Sequence, residues 1–410
     1  MRILLVSQYA VPPAEPGITR HFGLARALIE RGHEVTILAS SFQHWTRIET
    51  MPASVGAVTS ELVDGIRFVR VRTPAYHRNT IARIGNMGAF AYRALGAEVA
   101  AVLQRPDIVL GSSPPIFGAL AAQRLAHRYR VPFVMEVRDL WPASLVHLGG
   151  YSRHHPVVLL IGWLERFLYR RATAIVSLLP GAESAIVKAA GMPRAVTWIP
   201  NGVDLSLLPP FEPAIDHPAP LRVMYAGAFN LANALDTVIE AAALLESEGT
   251  PSQFEFVLIG DGPEKIRLES LVAGRRLRTV AFQPSVSKTE VYRQLQAADL
   301  FVLALQPLGL YTHGISINKL YDYLALGRPI IFATNASNNP VAEAGAGISV
   351  GAGDASAMAS AFRRIADMSA AERAAMGDGG RRFIQAHHDT AQLGLRLEEV
   401  LQSAVNAGHG

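Results

Sequence analysis

Short apolar runs rich in β-branched residues recur along the chain, most of them separated by stretches whose apolar positions return every three or four residues. In the first half, Ile3–Ser7, Val35–Ala39, Ile66–Val71, Asp107–Gly111, Pro132–Val137, Ala174–Leu178 and Val196–Ile199 predict strands. Ile18–Arg31, Ile81–Leu103 and Phe117–Tyr129 predict the helices among them, with Gly32 as a C-terminal cap of the first and Pro106 beyond the end of the second. Leu205–Pro220 then carries Pro209, Pro210, Pro213, Pro218 and Pro220, a density that stops both helix and strand.

Beyond it the pattern restarts. Arg222–Ala226, Phe254–Ile259, Val280–Phe282, Leu300–Leu305 and Pro329–Ala333 predict strands; Leu235–Leu245, Thr289–Ala298, Ile317–Leu326, Ala357–Asp367 and Thr390–Val405 predict helices. Strands alternating with helices imply parallel sheets covered on both faces. The expected architecture is α/β, with two Rossmann-like doubly wound domains facing a cleft that closes on substrate by a hinge. The expected limits are 1–205 for the first domain, 206–220 for the linker, 221–387 for the second domain, and 388–410 for a helical tail packing back on the first.

Composition narrows the class. Half of the 410 residues are hydrophobic and 18% are charged, which is globular rather than disordered. There is no cysteine, so there is no disulfide framework. Met1–Ser7 is too short for a signal-peptide core and reads as a strand; no apolar run reaches the ~20 residues of a membrane span. A cytoplasmic chain, at most peripheral to the inner membrane face, is expected. The net charge of +4 suits anionic partners such as nucleotide or lipid phosphates. No nucleic-acid recognition motif is present.

Candidate chemistry gathers at predicted strand ends, where parallel sheets bind ligands. After the first strand, a proline-rich loop runs to Gly17, which is expected to open the next helix and bring backbone N–H groups to a phosphate, with Arg20 adding charge. At the end of Pro132–Val137, Glu136, Arg138 and Asp139 follow closely: Arg138 suits phosphate oxygens, and Asp139 can accept a proton from an acceptor hydroxyl. An internal ion pair among these three is the competing reading. Gly227, and Gly260 with Gly262, follow strands of the second half and permit close ligand approach or tight turns.

The most informative stretch is Tyr311–Pro329. Gly314, Ile315 and Ser316 lead into a helix whose first turn holds Asn318 and Lys319. A lysine there opposes the helix dipole by a few tenths of a kcal/mol, which points to an anion nearby. Asn318 and Asp322, four apart, share a face able to meet sugar or ribose hydroxyls. Pro156–Arg171 mixes Trp163, Phe167 and Leu168 with Arg166, Arg170 and Arg171; it fits a lipid surface or a core-packing helix with a basic end.

In the order of these landmarks, from Met1 to about Phe383, the chain resembles glycosyltransferase family 4 of the GT-B fold. The landmarks are the loop ending in Gly17, Arg138-Asp139-Leu140-Trp141-Pro142, Ile199–Asp204, Gly260-Asp261-Gly262, and Asn318-Lys319 through Pro329. The branch it looks most like builds bacterial O-antigen, capsule and other exopolysaccharide, and includes N-acetyl-L-fucosamine transferases. The resemblance implies a retaining, metal-independent transfer of a hexosyl or N-acetylaminosugar unit, with no cofactor. The donor would be a nucleotide-sugar, UDP-linked, held mainly on the second domain; the acceptor, a lipid-linked or growing oligosaccharide, would lie on the first. Lys319 would neutralise the leaving diphosphate, with Arg138 or Arg20 assisting, and Asp322 would hold ribose. Where the family often places a first carboxylate, this chain has Gly314, so sugar recognition would fall to backbone amides near Ile315–Ile317. The family's Arg and Lys after the second domain's first strand are replaced by Ala228–Asn233. Two rivals share the fold: a nucleotide-sugar 2-epimerase, which needs no acceptor, and a binding subunit without catalysis.

Overall fold

The computed structural model describes residues 1–77, 81–147, 149–211, 220–247 and 253–408. Pro213 and Pro218 of the expected linker lie outside them. The chain divides into two compact units, Met1–Asn201 with Thr390–Gly410, and Gly202–Asp389.

The first unit is built on an eight-stranded sheet: β1 (Arg2–Val6), β2 (Glu34–Ser40), β3 (Val58–Val63), β4 (Ile66–Val71), β5 (Ile108–Ser113), β6 (Phe133–Val137), β7 (Ala174–Ser177) and β8 (Val196–Trp198). Their order is β3-β4-β2-β1-β5-β6-β7-β8, parallel except for β3, which pairs antiparallel with β4. The central strands carry Ile, Leu and Val toward both faces because helices cover both. One apolar layer joins Leu4, Val6 and Val109 to Ala119, Ala122 and Leu168; the other joins Ile3, Leu5 and Ile37 to Phe22, Leu28, Leu397 and Leu401. The second layer includes the C-terminal helix Thr390–Gly408, so this helix is part of the first unit's core.

The second unit holds β9 (Leu221–Ala226), β10 (Phe254–Ile259), β11 (Val280–Gln283), β12 (Leu300–Ala304), β13 (Ile330–Ala333) and β14 (Gly347–Val350). They form a parallel sheet in the order β11-β10-β9-β12-β13-β14. The order reverses at β9, so the loops after β9 and β12 diverge, which is where such sheets take ligands.

Several elements differ from the periodicity. The expected helix over Ile81–Leu103 breaks at Gly96 into Ile81–Ala94 and Ala97–Val102. The helix Trp141–His147, the edge strands β3 and β14, and the helices Lys265–Arg275 and Ala370–His387 are additions.

Candidate active site

In the second unit the site forms where β9 ends against the helix Asn318–Leu326. That helix starts because Gly314, at φ +95°, turns the chain out of a preceding 3-10 turn, and it stops at Gly327 in the left-handed region. Tyr323 fixes its height: the Ala226 amide donates to the Tyr323 hydroxyl at 2.7 Å, and that hydroxyl donates back to the Ala226 carbonyl at 3.2 Å. One turn earlier, Lys319 Nζ donates to the Tyr225 hydroxyl at 2.6 Å and sits 4.5 Å from the centroid of the same ring. Tyr225 in turn donates to the Ala228 carbonyl at 2.9 Å.

Gly227 makes room for this cation. A Cβ there would lie 2.5 Å from Lys319 Nζ, so the lysine rests on the bare α-carbon. No carboxylate faces Lys319 among the described interactions, and burial without an anion pulls its ammonium down to about 7. The helix behind it begins without a side-chain cap, since its N-cap is Ile317, and its first turn holds no acid. Bare N–H groups, the positive end of a helix dipole and an uncompensated lysine therefore share one place, an arrangement that stabilises phosphate.

The other expected donor residues divide. Asn318 heads the helix, exposed, beside Lys319. Gly260 and Gly262 lie close against protein: Cβ atoms there would lie 1.9 Å from the Gly227 carbonyl oxygen and 2.3 Å from that of Phe229, so these glycines stack one loop on the next. The Ile315 amide, expected to meet the sugar, donates to Asn338 Oδ1 at 2.7 Å, and the Asn338 amide donates back to the Ile315 carbonyl at 3.1 Å. Ser316 follows half-buried. Asp322 does not share an open face with Asn318. It turns inward, accepting from Lys288 Nζ at 2.5 Å and from the Tyr292 hydroxyl at 2.8 Å. Its oxygens, expected to meet ribose, bond to a neighbouring helix.

In the first unit the strand-end motif also resolves. Glu136 is buried and accepts from Arg20 Nε at 3.0 Å and from Ser112 Oγ at 2.6 Å, with His21 Nε2 at 2.7 Å. Burial alone would raise its carboxyl; Arg20, then His21 and Ser112, hold it well below the usual range. Arg20 also donates to the carbonyls of Ile199, at 2.8 Å, and Pro200. Arg20, expected beside a phosphate, forms an internal brace joining the loop after β8 to β6. Gly17 does not open the helix, which begins at Arg20; it packs on Val11 and Trp45. Arg138 keeps Nη1 buried without a hydrogen-bond partner, and Asp139 is exposed beside it. Glu136 hydrogen-bonds Arg20 rather than Arg138, whose cation feels Glu136 and Asp139 only through space.

Tyr225, Tyr323 and Asn338 escaped the sequence reading. Tyr225 carries the one available signal, a tyrosine directly preceding a strand-end Ala-Gly pair.

Residues 17–202 match the Glycosyl transferase 4-like domain, and residues 220–368 match Glycosyl transferases group 1. The chain is 24% identical over 350 residues to WcaI of Escherichia coli strain K12, named as a colanic acid biosynthesis glycosyl transferase; this covers 81% of the chain and 83% of WcaI. WbjE of Pseudomonas aeruginosa, named as a glycosyltransferase, is 22% identical over 270 residues, 63% of the chain and 65% of WbjE. Among solved structures, sucrose-phosphate synthase from Thermosynechococcus elongatus superposes with a TM-score of 0.76 at 18% identity, covering 99% of both chains. HepE of Anabaena in complex with UDP-glucose gives 0.67 at 14% identity, covering 98% of this chain and 100% of HepE.

Proposed function

Since the chain belongs to the glycosyltransferases of GT-B fold, with a 4-like domain followed by a group 1 domain, we propose that it transfers a sugar from a UDP-sugar, with retention, to a lipid-linked or growing cell-surface glycan. The observation that carries this reading is Lys319, an ammonium without a counter-ion at an uncapped helix N-terminus. When the donor bond breaks, negative charge grows on the leaving diphosphate; a pre-placed cation and bare amides stabilise that charge without a divalent ion. The similarity of HepE, solved with UDP-glucose, supports a uridine nucleotide, and that of WcaI, named for colanic acid, supports a polysaccharide product. Arg138 assists an anionic group on the acceptor side, and Asp139 positions or deprotonates the acceptor hydroxyl.

The acceptor's lipid gives the helix Pro156–Arg171 a task. Val158, Ile161, Leu164 and Leu168 pack inward, while Leu159, Leu160 and Trp163 are exposed, with Arg166, Arg170 and Arg171 at its end. An apolar row beside arginines suits an anionic lipid surface. No helix among the described residues is long and apolar enough to cross a membrane.

Thermal stabilisation by UDP-sugars over GDP-sugars, followed by transfer assays in chelator, tests the reading. Stabilisation by UDP and turnover undiminished by EDTA are expected. Turnover that vanishes in EDTA and returns only with a divalent metal overturns it.

A further inference from the structure

The first unit carries a second feature that the donor chemistry does not use. The loop after β2 folds on itself: Phe42 and Glu49 form an antiparallel bridge, the Gln43 amide donates to the Ile48 carbonyl at 2.9 Å, and the Arg47 amide donates to the Gln43 carbonyl at 3.0 Å. Arg47 holds φ at +61°, a conformation that a non-glycine residue keeps only when its surroundings impose it. At the tip stands Trp45, 44% exposed.

Its ring is fixed from beneath. Tyr9 lies 6.0 Å away and His44 5.2 Å away, both edge-on, and Tyr9 stacks on His44 at 4.8 Å. His44 Nδ1 meets the Tyr76 hydroxyl at 2.5 Å. Gly17 supplies the clearance, since a Cβ there would come within 3.0 Å of Trp45 Cζ3. Gln43 anchors the loop to Glu15 at 2.5 Å, and Arg70 braces the same carboxylate at 2.5 Å. A large apolar ring is thus held rigid and open by polar-edged neighbours. It stands at the carboxyl edge of the sheet, where Arg138 and Asp139 also lie, after β6. Strands β1 and β5 separate β2 from β6, three strand spacings or about 14 Å.

We propose that Trp45 is a stacking platform for a sugar ring of the acceptor glycan, an inference that rests on the reading of this chain as a glycan-extending transferase. One face of a pyranose presents C–H bonds, apolar and slightly positive, which match the slightly negative face of an indole; the hydroxyls around the rim are left to polar groups. A rigid platform binds such a ring with little ordering cost.

Protein labelled with 5-fluorotryptophan tests this. The chain has four tryptophans, and the resonance lost in Trp45→Phe identifies Trp45. Methyl glycosides of glucose, galactose, N-acetylglucosamine and fucose, with cellobiose, are the probes. At least one should shift the Trp45 resonance saturably and leave the other three in place. Trp45→Ala should weaken that binding roughly tenfold, read by saturation-transfer NMR on the sugar, while Trp45→Phe retains most of it. Both variants should keep the thermal stabilisation by UDP shown by the unaltered protein, which separates this idea from the donor reading. If UDP stabilises the protein but no probe moves Trp45, or if Trp45→Ala binds sugar as the unaltered protein does, the platform is overturned. A Trp45 resonance that responds only to lipid vesicles overturns it as well, by making the loop a membrane contact.

Discussion

Lys319 and Tyr225 meet twice: the ammonium donates to the tyrosine hydroxyl at 2.6 Å and hangs over the face of the same ring at 4.5 Å. The pair orients the lysine without neutralising it, because a phenol accepts a hydrogen bond yet carries no charge. Replacing Lys319 with Ala should lower turnover at least tenfold, the loss of ~1.4 kcal/mol of transition-state stabilisation. Tyr225→Phe should cost less, since the ring face remains. Steady-state transfer kinetics decide; near-normal turnover in Lys319→Ala removes the assigned role.

The missing counter-ion also predicts a proton. Burial has lowered Lys319 to about 7, against 10.5 in an unfolded chain. Between those values the unfolded chain binds more protons, so this group's contribution to stability rises with pH through that window. A bound diphosphate reverses the shift by favouring the charged form. At about pH 8.5, UDP binding should therefore draw close to one proton from the buffer, and the uptake should vanish in Lys319→Met. Calorimetry in buffers of different ionisation enthalpy measures it. Equal heats across buffers would contradict the assignment.

Gly227 and Gly260 look alike in sequence but should fail differently. A methyl at Gly227 meets the lysine's mobile end, at 2.5 Å from Nζ, whereas one at Gly260 meets the Gly227 carbonyl at 1.9 Å. Gly227→Ala should abolish UDP-induced stabilisation and, because φ there is +157°, also lower the unliganded melting temperature, by less than Gly260→Ala does. Gly260→Ala should destabilise the fold by about 1–3 kcal/mol through overpacking. Thermal melts with and without UDP distinguish the two.

Strands such as Leu300–Ala304, Leu-Phe-Val-Leu-Ala, were legible because buried parallel strands need unbroken apolar runs. Val58–Val63 was not: as an exposed edge strand it reads Val-Thr-Ser-Glu-Leu-Val, and only its pairing with β4 makes it a strand. Ala370–His387 hid behind Gly377, Gly379 and Gly380, which spoil the helical pattern yet lie close against the backbones of Gly327, Ala344 and Leu324. The site shows the same division. The place of Lys319 in a helix's first turn was legible because that signal is local. The contacts of Arg20 and Asp322 were not legible because their partners arrive from far along the chain: Glu136, Ile199 and Pro200 for one, Lys288 and Tyr292 for the other.

Asp322 provides a direct test of that difference. Were it a ribose ligand, Asp322→Ala would raise the donor KM and leave stability alone. With its carboxylate committed to Lys288 and Tyr292, the substitution instead strands two polar groups. Removing one partner of a fully buried pair costs several kcal/mol. Lys288 keeps part of its side chain in water, so about 1–2 kcal/mol is expected here. Lys288→Met together with Asp322→Leu should recover much of the loss, because neither charge is then left unpaired. Denaturant titration of Asp322→Ala and of the double variant reads the recovery.

Glu165 supplies the last prediction, away from the donor site. It is 6% exposed on the helix Pro156–Arg171, accepts from the Tyr169 hydroxyl at 2.6 Å and from the Trp141 amide at 3.4 Å, and pairs with no cation among the described residues. Burial pushes its carboxyl up to about 7. The folded chain therefore binds a proton that the unfolded chain releases, and stability falls as pH rises from the ordinary glutamate range through 7. Glu165→Gln keeps an oxygen acceptor for Tyr169 and removes the ionisation. It should be more stable than the unaltered protein at pH 8 by up to about 3 kcal/mol, taking ~1.4 kcal/mol per pKa unit, and close to equal to it near pH 4.5. Melting temperatures of both proteins across that range check the sign. A gap that widens toward acid would mean that the carboxylate, not the acid, is the form the fold was built around.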